Sequence, residues 1–245
     1  MKALVFAAGL GNRLKPITDT VPKALVPVGG KPMLEHIILK LKDAGFTDIT
    51  INIHHLGQQI IDFLQEKNNF GIDIHISDER EYLLDTGGGI KHAAPFLNGD
   101  EPFLVHNVDI FSNIDLKELY NRHLESKALA TLLVSKRKTS RYLLFNKENK
   151  LCGWRNRETG EVKSYYPYFN PDQYQQFAFS GIHVLSPEIF RWMEDWTGKY
   201  SIILFYLSIC AKTNIQAYEV ADLKLLDVGK KETLTLAETW VKENL

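Results

Sequence analysis

Short apolar runs alternate with amphipathic helical segments through the first half of the chain, and this alternation limits the folds open to it. Strand-like runs lie at Lys2–Phe6, Asp48–Ile53, 72–76 and 103–106, and helical patterns lie at 32–45, 57–67 and 116–124. Strands that alternate with helices of this length form βαβ units, in which helices cover both faces of a parallel sheet. Ligands of such sheets bind at the carboxyl ends of the strands. We therefore predict an α/β fold with its site where the first strands end.

The second half of the chain has a different pattern. Short extended runs at 131–135, 141–145 and 151–155 are separated by polar turns and predict antiparallel hairpins. The tyrosine-rich stretch 155–176 predicts a long loop or a protruding hairpin. A strand at 177–185, helices at 187–195, 202–211 and 231–244, and an extended run at 215–220 complete the expected order.

The charge balance argues against nucleic acid as a partner. The chain has 29 basic and 30 acidic residues and a net charge of -1, so a site for an anion has to be local. The apolar run at the N-terminus is too short for a signal peptide or a membrane span, which predicts a cytoplasmic protein without membrane contact. Cys152 and Cys210 form no metal or disulfide motif and are expected to be buried thiols.

A glycine-rich, basic segment follows the first apolar run. Gly9 and Gly11 resemble the start of a dinucleotide fingerprint, but Leu14 stands where the third glycine is needed, and a Walker A lysine is also missing. Glycines let backbone N–H groups approach an anion, and Arg13, Lys15 and Lys23 add positive charge. This composition suits a triphosphate. The alternative is a tight surface turn with solvated cations.

The stretch AAGLGNRLKPITDTVPKALVPV, residues 7–28, resembles the signature of the sugar-1-phosphate nucleotidylyltransferases, GxGxRxxPxTxxxPKxL, at every fixed position. In that family the arginine and the proline-preceded lysine bind the triphosphate and stabilise the charge at the transferred phosphorus. The resemblance implies these catalytic roles for Arg13 and Lys23. Asn12 stands where threonine or serine is usual and Ala24 where proline is common, and neither departure changes a charged group.

Two aspartates complete the resemblance. Asp109 ends an apolar run, and Asp227 lies in an Asp-Val-Gly sequence near the C-terminus. Taken alone, each is expected to be a helix cap or a turn former. The family uses aspartates at these places to hold a metal, and Mg²⁺ is held by one or two carboxylates together with phosphate oxygens. The resemblance therefore implies a Mg²⁺ site at Asp109 and Asp227, with Asp109 also catalytic, although Val108 replaces the usual glycine.

A second glycine-rich segment, LDTGGGI at 84–90, precedes a helical pattern. Such a run lets the main chain lie against a flat ligand, although a simple flexible turn is the alternative. In the family the corresponding loop contacts the base and ribose. The form of the loop with an acidic residue before TGGG most resembles that of the N-acetylmuramate-1-phosphate uridylyltransferases, followed by that of the mannose- and heptose-1-phosphate guanylyltransferases. The residues expected to bind the nucleotide are Ala7, Ala8, Gly9, Gly11, Asn12, Arg13, Lys23, Thr86, Gly87, Gly88 and Asn107.

The resemblance covers nearly the whole chain and implies a Rossmann-like three-layer α/β/α fold, with a mainly parallel mixed sheet and an inserted antiparallel sugar-binding portion. Residues 1–245 then form one domain, in which 1–127 mainly bind the nucleotide and 128–245 supply the sugar-binding and closing elements. The expected partners are a nucleoside triphosphate and a sugar 1-phosphate, bound by a monomer or a homodimer. Two alternatives stay open: a nucleotide-sugar sensor without turnover, and an acceptor other than a sugar, such as phosphocholine.

Two further motifs are expected to be structural or to lie at the edge of the pocket. His54 and His55 are adjacent and lack the HExxH spacing of a metal site. Ser180 lacks the glycine that a nucleophile elbow requires two residues earlier, and its segment 179–183 resembles the family's strand beside the sugar pocket.

Overall fold

The computed structural model describes residues 1–244 and has fourteen strands and eight α-helices in that range. The strands are β1 (Lys2–Phe6), β2 (Pro27–Val28), β3 (Lys31–Pro32), β4 (Asp48–Ile53), β5 (Asp73–Asp78), β6 (Phe103–Asn107), β7 (Ile110–Ser112), β8 (Ala130–Ser135), β9 (Arg141–Phe145), β10 (Leu151–Asn156), β11 (Val162–Lys163), β12 (Gln175–Leu185), β13 (Ile215–Glu219) and β14 (Leu225–Asp227). The helices are α1 (Met33–Asp43), α2 (Gly57–Glu66), α3 (Asp85–His92), α4 (Ala94–Leu97), α5 (Leu116–Ser126), α6 (Ile189–Trp192), α7 (Ile202–Ile209) and α8 (Lys231–Asn244).

A ten-stranded mixed sheet forms the centre of the molecule. Strands β6, β1, β4 and β5 are neighbours and run parallel, as the βαβ pattern predicts. Strand β12 lies antiparallel to β6 and continues the sheet into β8 and β9, and the antiparallel strands β9, β10 and β11 form its far end. The predicted α/β architecture and its antiparallel extension are confirmed.

Helices cover both faces of the sheet. Successive side chains of β1 point in opposite directions, so that Ala3 and Val5 pack in one core cluster with α1, α2 and α5, whereas Leu4 packs in the other with α3 and α7. Helix α1 forms because its apolar residues recur on one face, and Leu34, Ile37 and Leu41 bury that face. The sheet and the helices on its two faces thus form the predicted three-layer arrangement. Among residues 1–244 no helix is long and apolar enough to cross a membrane.

The glycine-rich segment 84–90 differs from the prediction. It is not a turn before a helix, because the glycines lie within α3 and are buried. At Gly88 a Cβ atom would lie 2.5 Å from the carbonyl oxygen of Gly198 and 3.0 Å from the Cβ of Leu84. The absence of side chains therefore serves close packing of the helix against the chain before α7, which outweighs the poor helix propensity of glycine.

Burial lowers the pKa values of three histidines, to about 3 for His106 and His183 and to about 4 for His123. The unfolded histidine pKa is near 6.5. As the pH falls below 6.5 the unfolded chain takes up protons that the folded chain excludes, so this contribution to stability is complete above pH 6.5 and is lost towards pH 3. We expect each histidine to lower the free energy of unfolding by about 1 kcal/mol per pH unit in that window.

Urea unfolding between pH 7.5 and pH 5.5 measures this effect. His183→Gln removes one of the three groups and should make the pH dependence shallower by about a third. The matched control is His55→Gln, which changes an exposed histidine and should leave the slope unchanged. A variant at His183 with the full slope would contradict the assignment.

Candidate functional site

A cavity of about 330 Å³ opens where β1, β4 and β6 end. Parallel strands bring their carboxyl ends to one edge of the sheet, so the residues that follow them meet there. The cavity is lined by Phe6, Ala8, Gly9, Lys23, Asn52, Glu79, Leu83, Asp85, Thr86, Asn107, Val108, Asp109 and Lys199. Of the predicted nucleotide and metal residues, the ones among these are Ala8, Gly9, Lys23, Thr86, Asn107 and Asp109.

The glycine-rich segment after β1 bends sharply and continues in short 3-10 turns. Gly11 has a φ of 64°, and a Cβ atom there would lie 2.7 Å from Cγ2 of Thr18. The hydroxyl of Thr18 donates to the Gly11 carbonyl at 2.9 Å, which closes the loop on itself. A glycine is needed at this position because the left-handed backbone and the close contact both exclude a side chain. The closed loop brings Lys23 to the cavity, next to Gly9.

Lys23 and Asp109 form an ion pair inside the cavity. Their side chains are only 12% and 14% exposed, so water screens the pair weakly. Asp109 follows β6. The side chain of the neighbouring Val108 is buried in the core, and the N–H of Val108 donates to the carbonyl of Phe6 at 3.2 Å. The valine in place of glycine therefore fits the backbone path and leaves the carboxylate facing the cavity.

Asp227 reaches the neighbourhood of Asp109 through a small sheet that the apolar pattern did not predict. Strand β14 pairs antiparallel with β7, and this register sets Asp227 opposite Ile110. The N–H of Val228 also donates to the carbonyl of Asp109 at 2.8 Å. The two aspartates are far apart in the chain, yet each lies next to a residue that the other's segment contacts through the backbone. Strands of three residues carry too little hydrophobic pattern to be found in the sequence.

Arg13 lies beside Asp227. Its Nη2 atom and the Oδ1 atom of Asp227 are 2.5 and 2.7 Å from the point that a Cβ atom on Gly229 would occupy. Gly229 therefore makes room for both groups, and its N–H donates to Asp227 Oδ1 at 2.8 Å. Arg13 and Asp227 do not line the cavity itself, and Lys15 is exposed and pairs with Asp19 at 3.1 Å.

The start of α3 is occupied by protein groups. The N–H groups of Gly87 and Gly88 donate to the carbonyl of Tyr200 at 2.9 and 3.3 Å, and the hydroxyl of Thr86 accepts from the N–H of Ile202 at 3.0 Å. The N–H groups of Gly87 and Gly88 are therefore already bonded to Tyr200. The predicted contact of these two glycines with a base stays a prediction. The same bonds hold the chain before α7 against α3 and bring Lys199 to the cavity wall.

Asn52 and Glu79 also line the cavity, and sequence reasoning missed them. Asn52 lies near the end of β4, and Glu79 follows β5. A polar residue in a buried strand was the available signal for Asn52, because it lies within the apolar run DITINI. Both are buried, at 1% and 2% exposure. The other predicted residues outside the cavity lining are Ala7, Gly11, Asn12, Gly87 and Gly88.

The motifs expected to be structural lie in or near the core. Nδ1 of His54 is 2.6 Å from the carbonyl of Glu79. His183 is buried with Nδ1 3.1 Å from the hydroxyl of Tyr206. Among residues 1–244 no group of three or more histidine, cysteine or acidic side chains is placed to hold a metal ion.

The acidic groups of the site suit a hard divalent cation. Asp109 and Asp227 offer carboxylates from different parts of the chain, and carboxylates are hard oxygen ligands. Mg²⁺ is bound by one or two carboxylates and takes its remaining ligands from phosphates and water. The donor set of Asp109 and Asp227 therefore fits Mg²⁺ in the presence of a phosphate ligand.

The fold and the cavity define an α/β protein with a cavity at the carboxyl edge of the parallel part of a mixed sheet, lined by basic and acidic side chains. The model of the family described as nucleotidyl transferase matches residues 2–243. The chain belongs to this family.

Two relatives match about half of the chain. An N-acetylmuramate alpha-1-phosphate uridylyltransferase of Neisseria meningitidis serogroup B is 48% identical over 115 residues, which are 47% of this chain and 49% of that protein. A mannose-1-phosphate guanyltransferase of Saccharomyces cerevisiae is 36% identical over 138 residues, 56% of this chain and 38% of that protein. The chain thus spans about half the length, or less, of these relatives. The solved structure of HddC from Yersinia pseudotuberculosis superposes with a TM-score of 0.76 at 23% identity and covers 98% of this chain and 99% of its own, which supports the fold.

Proposed function

We propose that the protein transfers a nucleotidyl group from a nucleoside triphosphate to a sugar 1-phosphate and releases pyrophosphate. The observation that carries the proposal is the cavity in which Lys23 and Asp109 are paired, beside the glycine-rich segment and with Asp227 on the strand whose next residue, Val228, bonds to the backbone of Asp109. This arrangement offers positive charge to phosphates and carboxylates to a cation. In the proposal residues 1–127 mainly hold the nucleotide, residues 128–245 mainly hold the acceptor, and the reaction takes place in the cytoplasm.

The reaction is a displacement at the α-phosphorus. An oxygen of the acceptor phosphate forms a bond to that phosphorus, the bond to the bridging oxygen breaks, and pyrophosphate leaves with the electron pair. Catalysis then consists of placement and charge neutralisation. Lys23 neutralises charge near the α-phosphate, and Arg13 neutralises charge on the triphosphate. Mg²⁺, when held by Asp109 and Asp227, would neutralise phosphate charge and orient the triphosphate.

The substrates we favour are UTP with an N-acetylmuramate-type sugar 1-phosphate, or GTP with mannose or heptose 1-phosphate. The names of the uridylyltransferase and guanyltransferase relatives support these pairs. The test incubates the protein and Mg²⁺ with each of UTP, GTP, CTP and dTTP against a panel of sugar 1-phosphates and phosphocholine, and measures pyrophosphate. Release that requires one triphosphate and one sugar 1-phosphate is the expected result. Release with phosphocholine alone would replace the sugar acceptor, and tight nucleotide binding without release would favour a sensor.

Lys199 is the residue we propose for the acceptor phosphate. Its side chain is exposed and lines the cavity, and it belongs to the second half of the chain, whereas Lys23 is already paired with Asp109. A reaction between two phosphate groups needs positive charge on the acceptor side to offset their repulsion.

Lys199→Ala is therefore expected to raise KM for the sugar 1-phosphate about 10- to 100-fold, the effect of losing one hydrogen bond to a charged group. KM for the triphosphate should change less than about threefold, and Lys199→Arg should retain most of the affinity because it retains the charge. Initial rates with either substrate varied separate the two constants. Lys212→Ala, at an exposed lysine after α7, is the control. An increase confined to the triphosphate KM would contradict the assignment.

A further inference from the structure

Asn52 and Glu79 bridge the two segments that form the walls of the cavity. Oδ1 of Asn52 accepts from the N–H groups of Ala7 and Ala8 at 2.7 and 3.1 Å, and its Nδ2 donates to Oε1 of Glu79 at 2.8 Å. Oε2 of Glu79 accepts from the N–H of Leu84 at 3.0 Å. One chain of hydrogen bonds thus runs from the segment after β1 to the residue before α3.

The bridge is buried and complete. Asn52 and Glu79 are 1% and 2% exposed, and a buried carboxylate is costly unless its oxygens receive hydrogen bonds. Here both oxygens of Glu79 accept a bond and both polar atoms of Asn52 are used. Two apolar residues of similar volume would leave the N–H groups of Ala7, Ala8 and Leu84 without these acceptors and would not set their direction.

The third glycine of TGGG makes room for this bridge. A Cβ atom on Gly89 would lie 2.8 Å from Oε1 of Glu79 and 2.9 Å from Cε1 of Phe6. It would also lie 3.4 Å from Nδ2 of Asn52. Helix α3 can therefore approach β1 and β4 only because the glycine leaves the carboxylate–amide contact free.

We propose that Asn52 and Glu79 are positioning residues that hold the Ala7–Ala8 segment and the start of α3 at the separation that a bound nucleotide requires. The inference rests on the proposed function for the identity of the ligand. A nucleotide that touches both walls gains affinity when their spacing is set before it binds, because less ordering is needed on association. The bridge has no contact with the reacting phosphates in this proposal and acts through the backbone of its neighbours.

A reversal of polarity tests the bridge. In Asn52→Asp two carboxylates face each other and neither can donate. In Glu79→Gln the new NH₂ group faces another donor, either Nδ2 of Asn52 or the N–H of Leu84. Each single change therefore breaks the chain of hydrogen bonds. The double variant Asn52→Asp with Glu79→Gln restores it. The introduced aspartate accepts from the N–H groups of the first segment and from the NH₂ of the introduced glutamine, whose oxygen accepts from Leu84. The total charge is that of the wild type.

The readout is the dissociation constant for UTP and for GTP with Mg²⁺, measured by calorimetry on the folded protein. We expect each single variant to weaken nucleotide binding about 10- to 100-fold, the effect of leaving a buried polar group unsatisfied, and the double variant to return to within about threefold of the wild type. The control is Asp62→Asn, which alters an exposed amide–carboxylate pair with Gln58 on α2 and should change nothing. Hydrogen exchange of the Ala8 and Leu84 amides, faster in the single variants and restored in the double variant, reports the bridge without a ligand.

Single variants that lose thermal stability but bind the nucleotide with unchanged affinity would overturn the proposal, since that is the result of a merely structural role. If the single variants do not fold, a folded double variant decides: near-native affinity supports the proposal, and weak affinity overturns it. Wild-type protein that binds nucleotide without releasing pyrophosphate would refute the proposed function and leave this inference intact.

Discussion

Asp109→Asn is expected to lower kcat for pyrophosphate release about 10³-fold, which corresponds to about 4 kcal/mol of transition-state stabilisation. Asparagine has nearly the same shape and can still accept a hydrogen bond from Lys23, but it lacks the charge that pairs with the lysine and that would hold Mg²⁺. The loss is large because the side chain is 14% exposed, and water replaces little of the missing charge. Steady-state rates with saturating substrates and Mg²⁺ measure the effect.

Lys23→Gln identifies the origin of that loss. Lys23 and Asp109 form one ion pair, so the double variant should lose less than the sum of the two single losses, expressed as free energies. The matched control is Asp100→Asn, which changes an exposed aspartate in a turn and should retain the wild-type rate. A folded Asp109→Asn protein with the wild-type kcat would exclude Asp109 from the catalytic and metal sites together.

Asp227→Asn is expected to lower the rate about 10²-fold at low Mg²⁺ and to recover part of it as the Mg²⁺ concentration rises. The asparagine oxygen can keep the bond from the Gly229 N–H, so the local backbone should persist while the affinity for the cation falls. Recovery with Mg²⁺ distinguishes this variant from Asp109→Asn. That variant also loses the ion pair with Lys23, which added Mg²⁺ does not restore. A titration of the rate with Mg²⁺ gives both the maximum rate and the apparent affinity.

Asp222→Asn is the control for that titration, because Asp222 is exposed and lies in the turn before β14. Its apparent Mg²⁺ affinity should equal that of the wild type. An Asp227→Asn protein whose apparent Mg²⁺ affinity is unchanged would remove Asp227 from the metal site and leave Asp109 as the one carboxylate proposed there.

Much of the fold could be predicted because its signals are local. Strand β4 and helix α8 have the bounds predicted from hydrophobic periodicity, and α1 ends where Gly45 predicted a stop. The errors occur where tertiary packing outweighs local preference. The glycines of α3 are helical because the chain before α7 packs against them, and helix α6 is shorter than the predicted 187–195.

Part of the candidate site could also be predicted, because some of its residues carry a local signal. Gly9, Lys23 and Asp109 were found because a motif and a strand end mark them, and the structure places all three at one cavity. Asn52 and Lys199 carry no such mark, since Asn52 lies inside a strand and Lys199 lies in an exposed segment. Their presence in the cavity depends on which strands and helices are neighbours.

By itself the sequence determined the order of the elements, the α/β class and the charged groups available for phosphates and a cation. Only the tertiary structure decided that Asp227 pairs beside Asp109, that Asn52 and Glu79 join the two walls, and that the amides of Gly87 and Gly88 are bonded to Tyr200. The physical reason is that periodicity and turn chemistry act over a few residues, whereas these contacts depend on sheet register and on the approach of distant segments, where hydrogen bonds are satisfied only after the chain has packed.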